Sequence, residues 1–149
     1  MVFTTITQQG GDAMSTTRKP HMGREVTQVY NTLTSASVSE LQRHIIHHLI
    51  LPEQFTTARV NYDVRKGIPC DEERYDNPAY YPLKFFSGSN VKEPEEIWVS
   101  CCNAGYPGTG PHGTLECLRM MGFNISKEQK EELFGVNRTT DQIHLEFSK

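Results

Sequence analysis

Apolar residues return every three or four positions along Leu41, Ile45, Ile46, Leu49 and Ile50, directly after Ser37-Val38-Ser39-Glu40 and before Pro52. A Ser followed three residues later by Glu is a capping box, and Pro cannot continue a helix. The pattern therefore predicts a helix with one apolar face, opened at Ser37 and closed before Pro52. Upstream, Val26, Val29, Tyr30 and Leu33 also recur at helical spacing, and Arg24 to Thr34 is read as helix although its β-branched residues allow a strand. Residues 14–23 are polar, contain Pro20 and Gly23, and read as a mobile lead-in.

The periodicity then changes from helical to alternating. Ala58, Val60, Tyr62 and Val64 interleave with Arg59, Asn61, Asp63 and Arg65, which predicts a strand with one buried face, ended by Lys66-Gly67-Ile68-Pro69. Residues 70–80 are acidic and rich in turn formers, and they lead to a short aromatic strand at Tyr81 to Phe86 and a turn at Ser87-Gly88-Ser89-Asn90. The next strand, Ile97 to Asn103, has apolar residues on both faces, Ile97, Val99 and Cys101 on one and Trp98 and Cys102 on the other. A strand covered on both sides belongs in the middle of a sheet.

A helix from about Pro111 to Met121 carries Leu115, Leu118 and Met121 on one arc and closes at Gly122. Ser126 and Gln129 form a second capping box for a short helix ending near Gly135, and Ile143, Leu145 and Phe147 alternate as a final strand. The sum is a single α+β domain over residues 23–149, a small mixed or antiparallel sheet of three to five strands packed with three to four helices, behind a flexible segment 1–22.

Composition narrows the function classes. The 149 residues suffice for one domain with a real core, and a charged fraction of 22% argues against wholesale disorder. The net charge of −3 offers no general basic surface, so tight non-specific binding to nucleic acid is not expected. No apolar run reaches the roughly 18 residues of a membrane span and no signal-peptide pattern opens the chain, so a cytoplasmic protein is expected, with Cys70, Cys101, Cys102 and Cys117 as free thiols. Gln8-Gln9-Gly10-Gly11-Asp12 can be encoded as a purine-rich ribosome-binding site shortly before Met14. That makes Met14 a candidate start, residues 1–13 an upstream extension, and a bacterium or its phage the expected source.

The candidate chemistry lies in the run from Gly105 to Gly113. It holds four glycines in nine residues between the central strand and a helix start, a setting in which backbone N–H groups can converge on an anion. Gly105, Gly108, Gly110 and Gly113 would shape the pocket, with Tyr106 beside them. Thr109, His112 and Thr114 would supply side-chain contacts, and Tyr75 or Tyr80 would cover a base. The loop is not a Walker loop, since His112-Gly113-Thr114 stands where Lys and Ser or Thr would be needed, and its glycines are not spaced as in the dinucleotide fingerprint. It resembles the glycine loops that hold the pyrophosphate of acyl-CoA in small acetyltransferases, without the basic residue that usually begins them. Leu118 to Phe123 resembles the Met-Gly-Phe turn of ubiquitin-associated domains over that short stretch alone.

His44, His47 and His48 would form a stripe beside the helix's apolar face; a zinc site needs further ligands, and partly exposed histidines touching a partner are the plainer reading. Cys101 and Cys102, on opposite faces of a central strand, read as small hydrophobes. No acid, base and nucleophile set assembles, so the expectation is binding or sequestration of a phosphorylated, nucleotide-like small molecule without turnover, and with no metal or cofactor. The alternatives are a protein-binding module or inhibitor of a host protein in which the glycine loop is structural, and a small acyl- or nucleotide-donor transferase; besides the small molecule, the partners considered are a host protein and further copies of the chain in a homo-oligomer.

Overall fold

The computed structural model describes residues 4–7, 15–21, 23–70 and 80–149. Tyr75, the acidic turn at 71–79 and Met14 with the six residues before it lie outside the described residues, as do residues 1–3 of the 1–13 extension.

Seven strands form one mixed sheet: β1 (Thr4–Thr7), β2 (Ser15–His21), β3 (Arg24–Tyr30), β4 (Phe55–Asp63), β5 (Leu83–Ser87), β6 (Glu95–Val99) and β7 (Gln142–Ser148), in the order β1-β2-β3-β6-β5-β4-β7. β3 and β6 pair in parallel and every other pairing is antiparallel, so β3, β6 and β4 all run the same way. Helices α1 (Thr34–Ile46), α2 (Thr109–Met120) and α3 (Lys127–Leu133) lie on one face, where Leu41, Leu115, Cys117, Leu118 and Leu133 pack on Val29, Val60, Leu83, Phe85, Ile97 and Val99. This is the α+β architecture expected from the alternation of periodicities, and β6 occupies the middle of the sheet as its two apolar faces require. On the far face Val26, Tyr81 and Trp98 form a smaller cluster, with the Lys84 ammonium 4.2 Å from the centre of the Trp98 ring.

Three expectations are corrected. Arg24–Tyr30 is a strand, not a helix: β3 lies between β2 and β6, so Thr27 and Val29 serve one face and Val26, Gln28 and Tyr30 the other. Burial on both sides removes the alternation by which a strand is usually recognised. The polar run before it is likewise not a lead-in, because Ser15–His21 pairs residue for residue with β3 as strand β2.

Helix α1 opens earlier than Ser37 and turns a different face inward. Leu33 is its N-cap without a side-chain cap. Ser37 and Glu40 are buried within the helix, where Glu40 accepts from Thr16 Oγ1 at 3.2 Å and from Arg43 Nη2 at 2.6 Å. The inward stripe is Ser37, Glu40, Leu41 and His44, whereas Ile46 and Leu49 remain 62% and 49% exposed. The cause is the helix end. His48 takes a left-handed conformation (φ +59°), its N–H bonds Ile45 O, and Leu49 N–H reaches back to His44 O at 2.8 Å, a Schellman closure that turns the chain away.

The other helix ends follow the sequence signals. α2 closes with Gly122 N–H on Arg119 O and Phe123 N–H on Leu118 O, and α3 with Gly135 N–H on Glu132 O and Val136 N–H on Glu131 O. These are the same motif with glycine in the left-handed position. The Ser126–Gln129 capping box is present with both reciprocal bonds, and β7 alternates strictly, with Ile143, Leu145 and Phe147 inward.

Candidate functional site

Parallel strands leave their carboxyl ends on one edge of the sheet, and a ligand crevice in an open α/β sheet lies beyond such ends. Here that edge holds a cavity of about 390 Å³ lined by Tyr30 and Asn31 after β3, Thr34 at the start of α1, Tyr62 on β4, Gly67 and Pro69 in the turn after it, Tyr80 and Pro82 before β5, and Ser100, Cys101 and Asn103 after β6. Its size falls within the range of small-molecule sites.

The walls are knitted together by Ser100. Its Oγ accepts the Asn31 N–H at 2.7 Å, donates to Asn31 O at 3.0 Å and lies 3.1 Å from Ser37 Oγ, so one hydroxyl joins the ends of β3 and β6 to the interior of α1. Thr34 Oγ1 donates to Cys101 O at 3.1 Å, and Cys101 Sγ makes a weak contact of 3.1 Å with Asn31 O. Cys101 has left β6 and sits at φ +63°, which turns its thiol to the cavity while Cys102 is buried with its Sγ 3.8 Å from Cys117 Sγ. The expected placement of the two cysteines on opposite faces of one strand is thereby replaced: β6 ends at Val99.

Among the described residues, the lining bears no Asp, Glu, Lys, Arg or His. Three phenol rings, two carboxamides and two hydroxyls give it a neutral, hydrogen-bonding character. Burial holds the Cys101 thiol above its ordinary value, with a smaller opposing effect from its hydrogen bond to Ser100. Burial, reinforced by Tyr106, likewise raises Tyr62 against a hydrogen bond from the Asn103 side chain. Both groups are thus protonated at neutral pH, and neither is prepared as a nucleophile or base.

Two features leave hydrogen-bonding capacity open. Asn31 is 2% exposed, lines the cavity, and its Nδ2 donor has no partner. A buried unmet donor costs about 1–3 kcal/mol, which an acceptor placed in the cavity would offset. The second is α1 itself. Ser37 N–H is the first to close the helical ladder, onto Leu33 O, so the N–H groups of Thr34, Ser35 and Ala36 have no partner within the helix, and the first turn carries no acidic residue.

The glycine run is engaged within the fold. Gly105 N–H donates to Leu133 O at 2.8 Å, and its φ of +98° brings it against Val64 and Ile143. Gly108 is the N-cap of α2 and its carbonyl accepts the His112 N–H. A Cβ on Gly110 would overlap Asn103 Oδ1, and one on Gly113 would overlap Thr34 Cγ2, so these two glycines let α2 lie close against the cavity wall and α1. Thr114 Oγ1 donates to Asn103 O at 2.7 Å, Tyr106 lies 6.5 Å from the Tyr62 ring, Thr109 and His112 are exposed, and the His112 ring stands 4.6 Å from that of Phe134. Of the residues singled out from sequence, Tyr80 lines the cavity, and Tyr106, Gly110, Gly113 and Thr114 support its wall. Tyr30, Asn31, Thr34, Tyr62, Ser100 and Asn103 were missed. Reading Arg24–Tyr30 as a strand would have placed Asn31 at a carboxyl end.

The histidines do not converge. His44 is buried with Nδ1 2.8 Å from Glu40 O, whereas His47 and His48 are exposed, and no group of three metal-ligating side chains comes together among the described residues. Nor is any described helix long and apolar enough to cross a membrane. A second concavity of about 360 Å³ beside residues 135–145 is lined by exposed groups such as Arg138, whose Nη1 is paired with Asp141 at 2.6 Å. Comparisons with protein-family models, curated proteins and solved structures return no match.

Proposed function

We propose that this protein binds a phosphorylated, nucleotide-like small molecule in the cavity at the carboxyl ends of β3, β6 and β4, and holds it without turnover. The observation that carries this reading is the unpartnered Asn31 Nδ2, buried in the wall of a cavity that also holds three tyrosines and the uncapped start of α1. Flat rings and carboxamides suit a heterocyclic base, which presents both a π-face and a hydrogen-bonding edge. The N-terminal turn of α1 suits the anion. The glycine run serves by letting α2 support Asn103, and the neutral, hydrogen-bonding character of the described lining residues suits capture of the ligand.

The test is thermal unfolding with nucleoside monophosphates, the matching nucleosides and inorganic phosphate. A ligand specific for the fold stabilises it by about 2.7 kcal/mol at a hundredfold excess over Kd. Asn31→Leu keeps the branched outline of the side chain, removes the free donor and is expected to weaken binding about tenfold, or 1.4 kcal/mol. If no mononucleotide raises the melting temperature, the reading falls.

A second reading, contact with a protein partner, is favoured by the outer end of α1, where Ile46 and Leu49 are exposed beside His47 and His48. Truncating Ile46 and Leu49 to Ala would then abolish partner capture and leave nucleotide binding unchanged.

A further inference from the structure

β7 is an outermost strand of the sheet, and its register on β4 fixes which of its main-chain groups are free. Antiparallel pairs alternate between hydrogen-bonded and non-bonded positions. Val64 N–H bonds Asp141 O at one end of the ladder and Lys149 N–H bonds Thr56 O at the other, both in the register of the β4–β7 pairing. Residues 141, 143, 145, 147 and 149 therefore face β4, and the N–H and C=O groups of Gln142, His144, Glu146 and Ser148 point away from the sheet. Two of these groups are engaged: Gln142 N–H by Thr140 Oγ1, and Glu146 O by Gln129 Nε2 at a long 3.5 Å.

Edges of this kind are commonly guarded by Pro, Lys or a bulge. β7 has neither residue among Gln142–Ser148, and its ladder on β4 is unbroken. Its first half borders a concavity of about 360 Å³ whose other described lining residues are Glu132 and the loop 135–140.

We infer that β7 pairs antiparallel with β7 of a second copy of this chain, joining two sheets across a two-fold axis at Leu145. In that register His144 stands opposite Glu146 of the second copy, and Glu146 opposite its His144, so the outward N–H and C=O groups of these residues meet directly. On the exposed face each imidazole meets a carboxylate. On the core face Ile143 meets Phe147 and Leu145 meets its own copy. The neighbouring symmetric registers place His144 on His144 or Glu146 on Glu146. Like side chains opposed in this way disfavour those registers, and the charge pattern selects the one with mixed pairs. His144 Nδ1 is already held by Asn61 Oδ1 at 2.7 Å, which leaves Nε2 to face the carboxylate.

The test is the mass in solution of the full chain, by sedimentation and by light scattering after gel filtration, from nanomolar to submillimolar concentration. Wild type is expected to approach the mass of two chains. Glu146→Pro removes an outward N–H that β4 does not use, so it is expected to give a monomer with unchanged circular dichroism. His144→Glu sets carboxylates against each other at both symmetric positions and is expected to raise the dissociation constant about tenfold or more. The exchange His144→Glu with Glu146→His is expected to recover association. A single-chain mass for wild type at every concentration overturns the inference, as does association untouched by both Glu146→Pro and His144→Glu. Assemblies growing beyond two chains overturn it as well.

Discussion

Gly135→Ala tests how the glycine run is tied to the helical layer. Gly122 and Gly135 occupy the same left-handed position at the ends of α2 and α3, with φ of +87° and +73°. A side chain there costs ~1–2 kcal/mol in conformation, offset by ~0.4–1 kcal/mol from the smaller entropy of the unfolded alanine chain. The two sites differ in their surroundings. A Cβ on Gly122 would meet only the end of the Lys149 side chain, at 3.4 and 3.6 Å, whereas one on Gly135 would lie 2.2 Å from Gly105 O, 2.6 Å from its carbonyl carbon and 3.0 Å from Tyr106 N.

Backbone cannot swing aside as a lysine can, so overpacking adds roughly 1–3 kcal/mol at Gly135 alone. Gly122→Ala is expected to cost about 0.5–1 kcal/mol and Gly135→Ala about 2–4 kcal/mol. Gly23→Ala (φ +78°, nothing within 4 Å) serves as a second control grouped with Gly122. Urea unfolding with linear extrapolation resolves the difference, provided the slopes agree. Equal losses at Gly122 and Gly135, within about 0.5 kcal/mol, would refute the close packing of the α3 terminus on residues 105–106.

Two further outcomes follow from the helix ends and the buried thiols. His48 holds the left-handed position of α1 without being glycine, so His48→Gly is expected to stabilise by about 0.5–1 kcal/mol; a lower urea midpoint would contradict the helix end described. The hydrogen bond to Cys117, with burial, holds Cys102 well above its ordinary value of 9.0, and burial raises Cys101 and Tyr62. Each is an acid that the fold keeps protonated. This stabilisation is fully present below the ordinary values and is lost as pH rises beyond them toward the folded values, while Lys149, lowered by burial, acts in the opposite sense. Stability should therefore fall above about pH 9, by at most about 1.4 kcal/mol per pH unit from Cys102. Cys102→Ala should flatten that fall in urea midpoints measured from neutral pH upward, and parallel curves for the two proteins would rule the assignment out.

What the chain determined by itself is local. The alternation of Ile143, Leu145 and Phe147, the Ser126–Gln129 box and the closing glycines Gly122 and Gly135 each act through neighbours a few residues away, and each is found where the pattern puts it; the apolar faces of Ile97–Val99 put β6 mid-sheet, but the strand runs Glu95–Val99 and stops short of the expected Asn103. The inward face of α1 was not legible, because Ser37 and Glu40 are buried by partners, Ser100 and Thr16, that lie 63 and 24 residues away. Arg24–Tyr30 could not be told from a helix for a related reason: only its place between β2 and β6 explains why both of its faces are apolar or satisfied.

The candidate site belongs wholly to tertiary structure. Its wall is drawn from residues 30–34, 62–69, 80–82 and 100–103, brought together by the parallel alignment of β3, β6 and β4, and no spacing along the chain records that meeting. The glycines were the visible signal because small residues in a cluster stand out in a sequence. What they permit, the approach of α2 to Asn103 and Thr34, depends on what occupies the space above each Cα, and only the folded chain decides that.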